Sequence, residues 1–219
     1  MNEIKFTVDE SRQTVYRELM MYKWLNHTNI PKISTINYCK NRKQIKYSFN
    51  LPDGYTTYTT LNKYNNNNNN NNQIIFDQLI NVVAYLNSRG VYHQNLLPEN
   101  IYILSGNKNP LVWLTNFSMA NHNHANSRSC NDPSIIEKWH TSQPFNTDEL
   151  CDGDLWSVGM LGIYLFYDRD VYEWIDNHAD DETIDLCYTI RGKFGYGLER
   201  AGYYCGDNNI NQIINQLLL

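Results

Sequence analysis

Between Gln73 and Leu114 the chain changes its periodicity twice within about forty residues, and few folds accommodate that order. Ile75, Leu79, Val82, Val83 and Leu86 recur at helical spacing on one stripe, and Gly90 stands where a helix C-terminal cap belongs. The run Tyr92-His93-Gln94-Asn95-Leu96-Leu97-Pro98-Glu99-Asn100 follows at once, too polar and too short to continue the helix. Ile101-Tyr102-Ile103-Leu104 and Leu111-Val112-Trp113-Leu114 then flank the turn Ser105-Gly106-Asn107-Lys108-Asn109-Pro110, which predicts a hairpin. A long helix, a tight loop and a hairpin thus follow one another in immediate succession.

The flanks extend this reading. Val15, Leu19, Tyr22 and Leu25 predict an amphipathic helix over Ser11 to Leu25, with Ser11 as its N-cap. Lys32 to Tyr38 and Gln44 to Phe49 read as two strands around a polar turn at residues 40–43. Leu51-Pro52-Asp53-Gly54 marks a turn, and Tyr55 to Tyr64 reads as part strand and part short helix. Asn65 to Asn72 is an unbroken run of eight asparagines, a solvated loop by composition. It separates a small upper part, residues 1–64, from a larger lower part, residues 73–219. Asp154 to Tyr167 is almost wholly apolar and predicts a helix buried on most sides. Val171 to Asn177 and Asn209 to Leu219 carry further helical pattern, residues 121–132 read as loop, and residues 192–206 have no assigned element.

Charge and cysteine usage narrow the function classes. The chain of 219 residues has a formal charge of -5 and no long basic run, which argues against nucleic acid as a partner. Five cysteines without metal-ligand spacing point to free thiols in a reducing, intracellular compartment, cytoplasmic or nuclear. No stretch of signal-peptide or membrane-spanning character appears, so no membrane partner is expected. His122 and His124 alone make too weak a set for a metal, and Asp180-Asp181-Glu182 reads as a solvated cluster.

Four segments together resemble a protein kinase domain of the cyclin-dependent serine/threonine type. Thr14-Val15-Tyr16-Arg17-Glu18-Leu19 with Leu25-Asn26-His27-Thr28-Asn29-Ile30 is similar to the regulatory C-helix and the turn after it. His93 to Asn100 is similar to the catalytic loop, Asn116-Phe117-Ser118 to the Asp-Phe-Gly turn, and Asp154-Leu155-Trp156-Ser157-Val158-Gly159 to the start of the buried F-helix. In that resemblance the frame residues His93, Pro98, Glu99, Phe117, Asp154, Trp156 and Gly159 match. The phosphate-handling positions depart from it. Asn95 stands at the catalytic aspartate, where an amide cannot serve as general base, and Leu97 at the lysine that neutralises the moving phosphoryl group. Asn116 replaces the aspartate that holds the main Mg²⁺, Ser118 replaces the glycine and Gln94 the arginine. Asn100 keeps its metal-binding residue type. No Gly-rich phosphate loop is present, and Lys5 is the one lysine before the helix that could stand for the ATP-anchoring cation paired with Glu18, the other reading being a solvated surface residue.

The resemblance implies a kinase-like α+β fold, mainly the helical C-lobe, with a reduced N-lobe lacking the Gly-rich loop. It implies a catalytically impaired protein, a pseudokinase, that acts by binding an active kinase, a kinase regulator or a kinase substrate. No cofactor is expected, or Mg-ATP if the chain is active. Two other readings stay open: an atypical serine/threonine kinase using Asn100, Lys5 and a displaced carboxylate from Glu99 or Asp148, and a nucleotide-binding switch without transfer. The poly-Asn run and the truncation resemble kinase-like proteins of large DNA viruses or of organisms with AT-rich genomes, for which a host-cell location and kinase mimicry are implied.

Overall fold

Ile4, Phe6 and Val8 alternate with Lys5 and Thr7, and this period of two makes the first segment a strand, β1 (Glu3–Asp9). The computed structural model describes residues 3–9, 13–64, 69–122 and 153–166. The chain divides into two compact units, Met1–His122 and Asn123–Leu219. The lobe boundaries drawn at residues 64 and 73 fall inside the first unit.

In that unit β1 is followed by α1 (Gln13–Trp24), β2 (Ile33–Cys39) and β3 (Gln44–Asn50). The three strands form one antiparallel sheet in the order β1-β3-β2. The β1–β3 register runs unbroken from Glu3↔Asn50 to Asp9↔Gln44, whereas β2 shifts against β3 between Ile33 and Thr35. Lys43, in the left-handed region at φ 49°, closes the β2–β3 connection by donating its N–H to the Lys40 carbonyl. Helix α1 buries Val15, Glu18, Met21 and Tyr22, with Leu25 buried just past its end, so the buried stripe is rotated from the expected one: Leu19 is only half-buried and an acid takes its place. Tyr16, Met20 and Trp24 stay exposed on the same helix, with the Trp24 ring edge-on to His122 at 5.0 Å.

Strand β4 (Tyr55–Thr60) and a 3₁₀ turn at Leu61–Lys63 divide the 55–64 segment as expected. Helix α2 (Asn69–Ser88) begins four residues before Gln73, which corrects the reading of the whole asparagine run as loop: Asn69 to Asn72 are helical. Asparagine is a modest rather than a prohibitive helix residue, and the turn is carried by packing just beyond it. Ile75, Phe76, Leu79, Val82, Val83 and Leu86 are all fully buried; each contributes about 1.5–3 kcal/mol of apolar transfer. The helix stops at Gly90, whose φ of +67° is open to glycine at no steric cost, with Arg89 and Gly90 donating to the Leu86 and Asn87 carbonyls.

Beyond it come β5 (Val91–Tyr92), β6 (Ile101–Gly106), β7 (Leu111–Leu114) and β8 (Asn121–His122). The predicted β6–β7 hairpin forms, and β4 joins it in a second sheet of order β4-β6-β7; β5 and β8 pair separately across the intervening loop and turn. Asn29, in the turn after α1, ties these parts together. Its side-chain amide donates to the Gln78 side-chain oxygen at 2.7 Å and to the Val112 carbonyl at 2.8 Å, and its own carbonyl accepts from Leu114 N–H. Gln78 also accepts from Val112 N–H and donates to the Pro110 carbonyl.

In the second unit α3 (Gly153–Phe166) is buried along its length from Ser157 to Leu165, as an all-round apolar sequence requires. Asp154 is buried in its first turn, where the helix dipole favours a carboxylate. Trp156 and Gly159 lie in the same helix. Among the described residues no helix is long and apolar enough to cross a membrane. The expected helices at 171–177 and 209–219, the loop beyond His122, the 180–182 cluster and Asp148 lie outside the described residues.

Candidate functional site

His93 is fully buried between β5 and the 3₁₀ turn at Pro98–Asn100. Its Nε2 lies 2.9 Å from the Thr115 carbonyl, and its Nδ1 accepts from Asn95 N–H at 3.2 Å. A carbonyl only accepts and a backbone N–H only donates, so the ring is held as the Nε2–H tautomer. Phe117 stands edge-on to the imidazole at 4.7 Å. His93 therefore braces the loop against the 115–117 segment, and both of its nitrogens are committed to that task.

The side-chain amides of Asn100 and Asn116 meet in one network that also takes in the backbone carbonyl of Asn95. Asn100 is buried; its Nδ2 donates to the Asn95 carbonyl at 3.0 Å and its Oδ1 accepts from Asn116 Nδ2 at 3.0 Å. Asn116 Oδ1 accepts in turn from the Ser118 hydroxyl at 2.6 Å. Thr115 fastens the same corner from N–H and hydroxyl to the Asn100 carbonyl. Asn116 sits in the left-handed region at φ 61°, a conformation asparagine tolerates better than most residues. Leu97 is half-buried with its N–H on the Asn95 carbonyl, and Glu99 is exposed. Asn95 Oδ1 is buried with no hydrogen-bond donor among the described residues. Among the described residues this set offers Mg²⁺ no carboxylate, and the side-chain oxygens of Asn100 and Asn116 each already accept from a neutral donor.

Glu18 and Lys5 are not brought together, and Lys5 takes the solvated place of the alternative reading. Strand alternation points Ile4, Phe6 and Val8 inward and Lys5 outward, where its ammonium lies 2.7 Å from Glu3 with the lysine side chain 73% exposed. The inward ring of Phe6 stacks on Tyr47 at 5.1 Å and meets Phe49 and Tyr102 edge-on, so aromatic carbon bridges from the first sheet to β6. Glu18 is buried at 5% exposure among phenols. Tyr22 donates to its carboxylate at 3.2 Å, with Tyr47 and the Phe117 N–H as further donors. Burial pushes its pKa up, and these donors offset that in part. The Tyr22 hydroxyl in turn accepts from Asn116 N–H at 3.0 Å, so α1 and the 116–118 turn are joined directly. Burial and the neighbouring Glu18 charge raise the pKa of both tyrosines.

Of the site residues expected from sequence, His93, Asn95, Leu97, Asn100, Asn116, Phe117 and Glu18 converge, while Lys5 stands apart. Asp154, Trp156 and Gly159 belong to the second unit. Tyr22, Tyr47, Asn29 and Gln78 were not anticipated as site residues. Tyr22 lay on the predicted helix stripe, but nothing in its spacing marks it as a partner for Glu18, and Tyr47 is brought there only by the sheet.

The match to known proteins covers nearly the whole chain: residues 2–217 fit the protein kinase domain. A probable serine/threonine-protein kinase, fhkA, of Dictyostelium discoideum is 32% identical over 127 residues, 57% of this chain and 21% of that protein. A probable inactive serine/threonine-protein kinase of the same organism is 26% identical over 195 residues, 76% of this chain and 23% of the relative. Cyclin-dependent kinase-like 2 of Pongo abelii is 24% identical over 183 residues, 82% of this chain and 34% of that protein. The chain thus spans between about a fifth and a third of the length of these relatives. With the helix, loop, hairpin and Asn-Phe-Ser turn in the family's order, the chain belongs to the protein kinase domain family and is related to its serine/threonine members.

Proposed function

We propose that this chain is a catalytically impaired kinase-family protein, a pseudokinase, that acts by binding other proteins. The observation that carries this reading is the amide cluster: Asn95, Leu97 and Asn116 stand where the reaction needs two carboxylates and a cation, and Asn100, Asn116 and Ser118 bond to one another. Lys5 is turned to solvent and Phe6 takes the inward position beside it, which supports a nucleotide-free role with no cofactor. The kinship to a relative named as probably inactive agrees with it. The partner on this reading is an active kinase, a kinase regulator or a kinase substrate, met through a kinase-shaped surface on a reduced N-lobe or the C-lobe. We place the protein inside the cell, and in a host cell if its source is a large DNA virus.

The test is thermal unfolding with and without millimolar Mg-ATP, beside a phosphotransfer assay on a generic protein substrate. A ligand bound only to the folded state at about 100 times its Kd adds roughly 2.7 kcal/mol. No shift and no transfer are expected. A Mg²⁺-dependent shift without transfer would replace this reading with a nucleotide-binding switch, and transfer would make the chain an atypical kinase.

A further inference from the structure

We propose that the cleft between the turn after α1 and strand β7 is a binding site for a small organic carboxylate with an apolar body. The site lies outside the amide cluster, and the inference stands whether or not the chain transfers phosphate. The cleft has a volume of about 560 Å³, within the roughly 300–1,000 Å³ usual for small-molecule sites. Residues 26–28 and 30–34 line it together with Asn50 at the end of β3, Pro52 and Trp113 of β7, so it belongs wholly to the first unit.

Donors without partners define what the cleft accepts. Trp113 is only 4% exposed yet lines the cleft, and its indole N–H, which can only donate, meets no acceptor among the described residues. A polar group on so buried a side chain ordinarily has a partner, and an acceptor seated in the cleft would supply it. Lys32, just before β2, is exposed, and its ammonium has neither an ion pair nor a hydrogen bond among the described residues. His27 adds a third donor: its Nδ1 accepts from Asn29 N–H at 3.2 Å, so the neutral ring carries its proton on Nε2. Burial lowers the His27 pKa, which leaves Lys32 as the positive charge of the lining. The lining holds no Asp or Glu; Asp53 follows Pro52 in sequence but is not part of it. One cation among neutral donors suits one singly charged acceptor, whereas a phosphate group carries nearly two charges and asks for more than one cation. Ile30, Pro31, Ile33 and the Trp113 indole offer apolar wall to the body that bears the carboxylate.

The experiment follows the tryptophan indole N–H signals of the isotope-labelled full chain by NMR during titration with naphthoate and with its uncharged counterpart naphthamide. Trp113→Phe identifies the Trp113 signal. That signal should move saturably with naphthoate in the millimolar range or below, and naphthamide should bind about tenfold or more weakly, because it offers the donors no charged acceptor. Lys32→Met, at an exposed position, should keep the unliganded spectrum and weaken naphthoate by about threefold or more. No saturable movement at millimolar naphthoate, equal binding of naphthamide, or unchanged affinity in Lys32→Met overturns the proposal. So does equal movement of the other tryptophan signals, which would mean that the acid binds without a site.

Discussion

Glu18 illustrates how one side chain can keep its place after its expected partner is gone. Its carboxylate is buried against Tyr22 and Tyr47, and desolvation raises its pKa from the ordinary value, offset in part by the donors around it. A raised folded-state pKa means that the fold favours the protonated acid. Its stabilising contribution is full below the unfolded-state pKa and is lost as pH rises through the folded value. Glu18→Gln keeps an acceptor for both phenols and removes the charge. The variant should match the parent in acid and become the more stable of the two towards neutral pH, read as the difference in Tm across a pH series. A difference that shrinks as pH rises would show that a cation compensates the carboxylate after all. None of this was visible in sequence, because Tyr47 lies on β3, far along the chain from Glu18, and a lysine in the preceding segment offered a simpler partner.

At the scale of elements, what was legible is what depends on local pattern. Helix α2 and the β6–β7 hairpin follow from the 3.6 and 2.0 periodicities of their apolar residues, and Gly90 marks the helix end by its backbone freedom. Gly90→Ala meets no neighbouring atom, so its effect is purely conformational and should cost about 1–2 kcal/mol in chemical denaturation. The helix start was less legible, because eight identical asparagines contain no period from which to read a boundary. The attachment of the turn after α1 to the hairpin was invisible, since Gln78 looks like an ordinary polar residue on a helix. Gln78→Ala removes the acceptor for Val112 N–H and the donor to the Pro110 carbonyl, and should cost about 1–3 kcal/mol. Combined with Asn29→Ala, the loss should fall short of the sum of the single losses by about 0.5 kcal/mol or more, because the two side chains share one network.

For the molecule as a whole, family membership was legible from the order of four motifs, and their degeneracy was legible from the residue types within them. The orientation of β1 was not. Lys5 appeared available until strand alternation placed it on the outer face and Phe6 on the inner one. On the proposed pseudokinase reading, restoring residue types alone should not restore chemistry. The triple variant Asn95→Asp, Leu97→Lys, Asn116→Asp is expected to show no phosphate transfer from labelled ATP, because the inward side of β1 still offers an aromatic ring where a cation is required. Transfer by that variant would mean that these three positions alone limit phosphate transfer.

Trp24, at the end of α1, is half exposed and lies against His122 of β8. Such placement makes the indole a built-in optical gauge: its emission senses whether the helix end remains seated beside the strand that follows the Asn-Phe-Ser turn. Stopped-flow mixing with a binding partner could then time any swing of α1 without an attached dye, and a Trp24→Phe control would separate this signal from that of the other tryptophans.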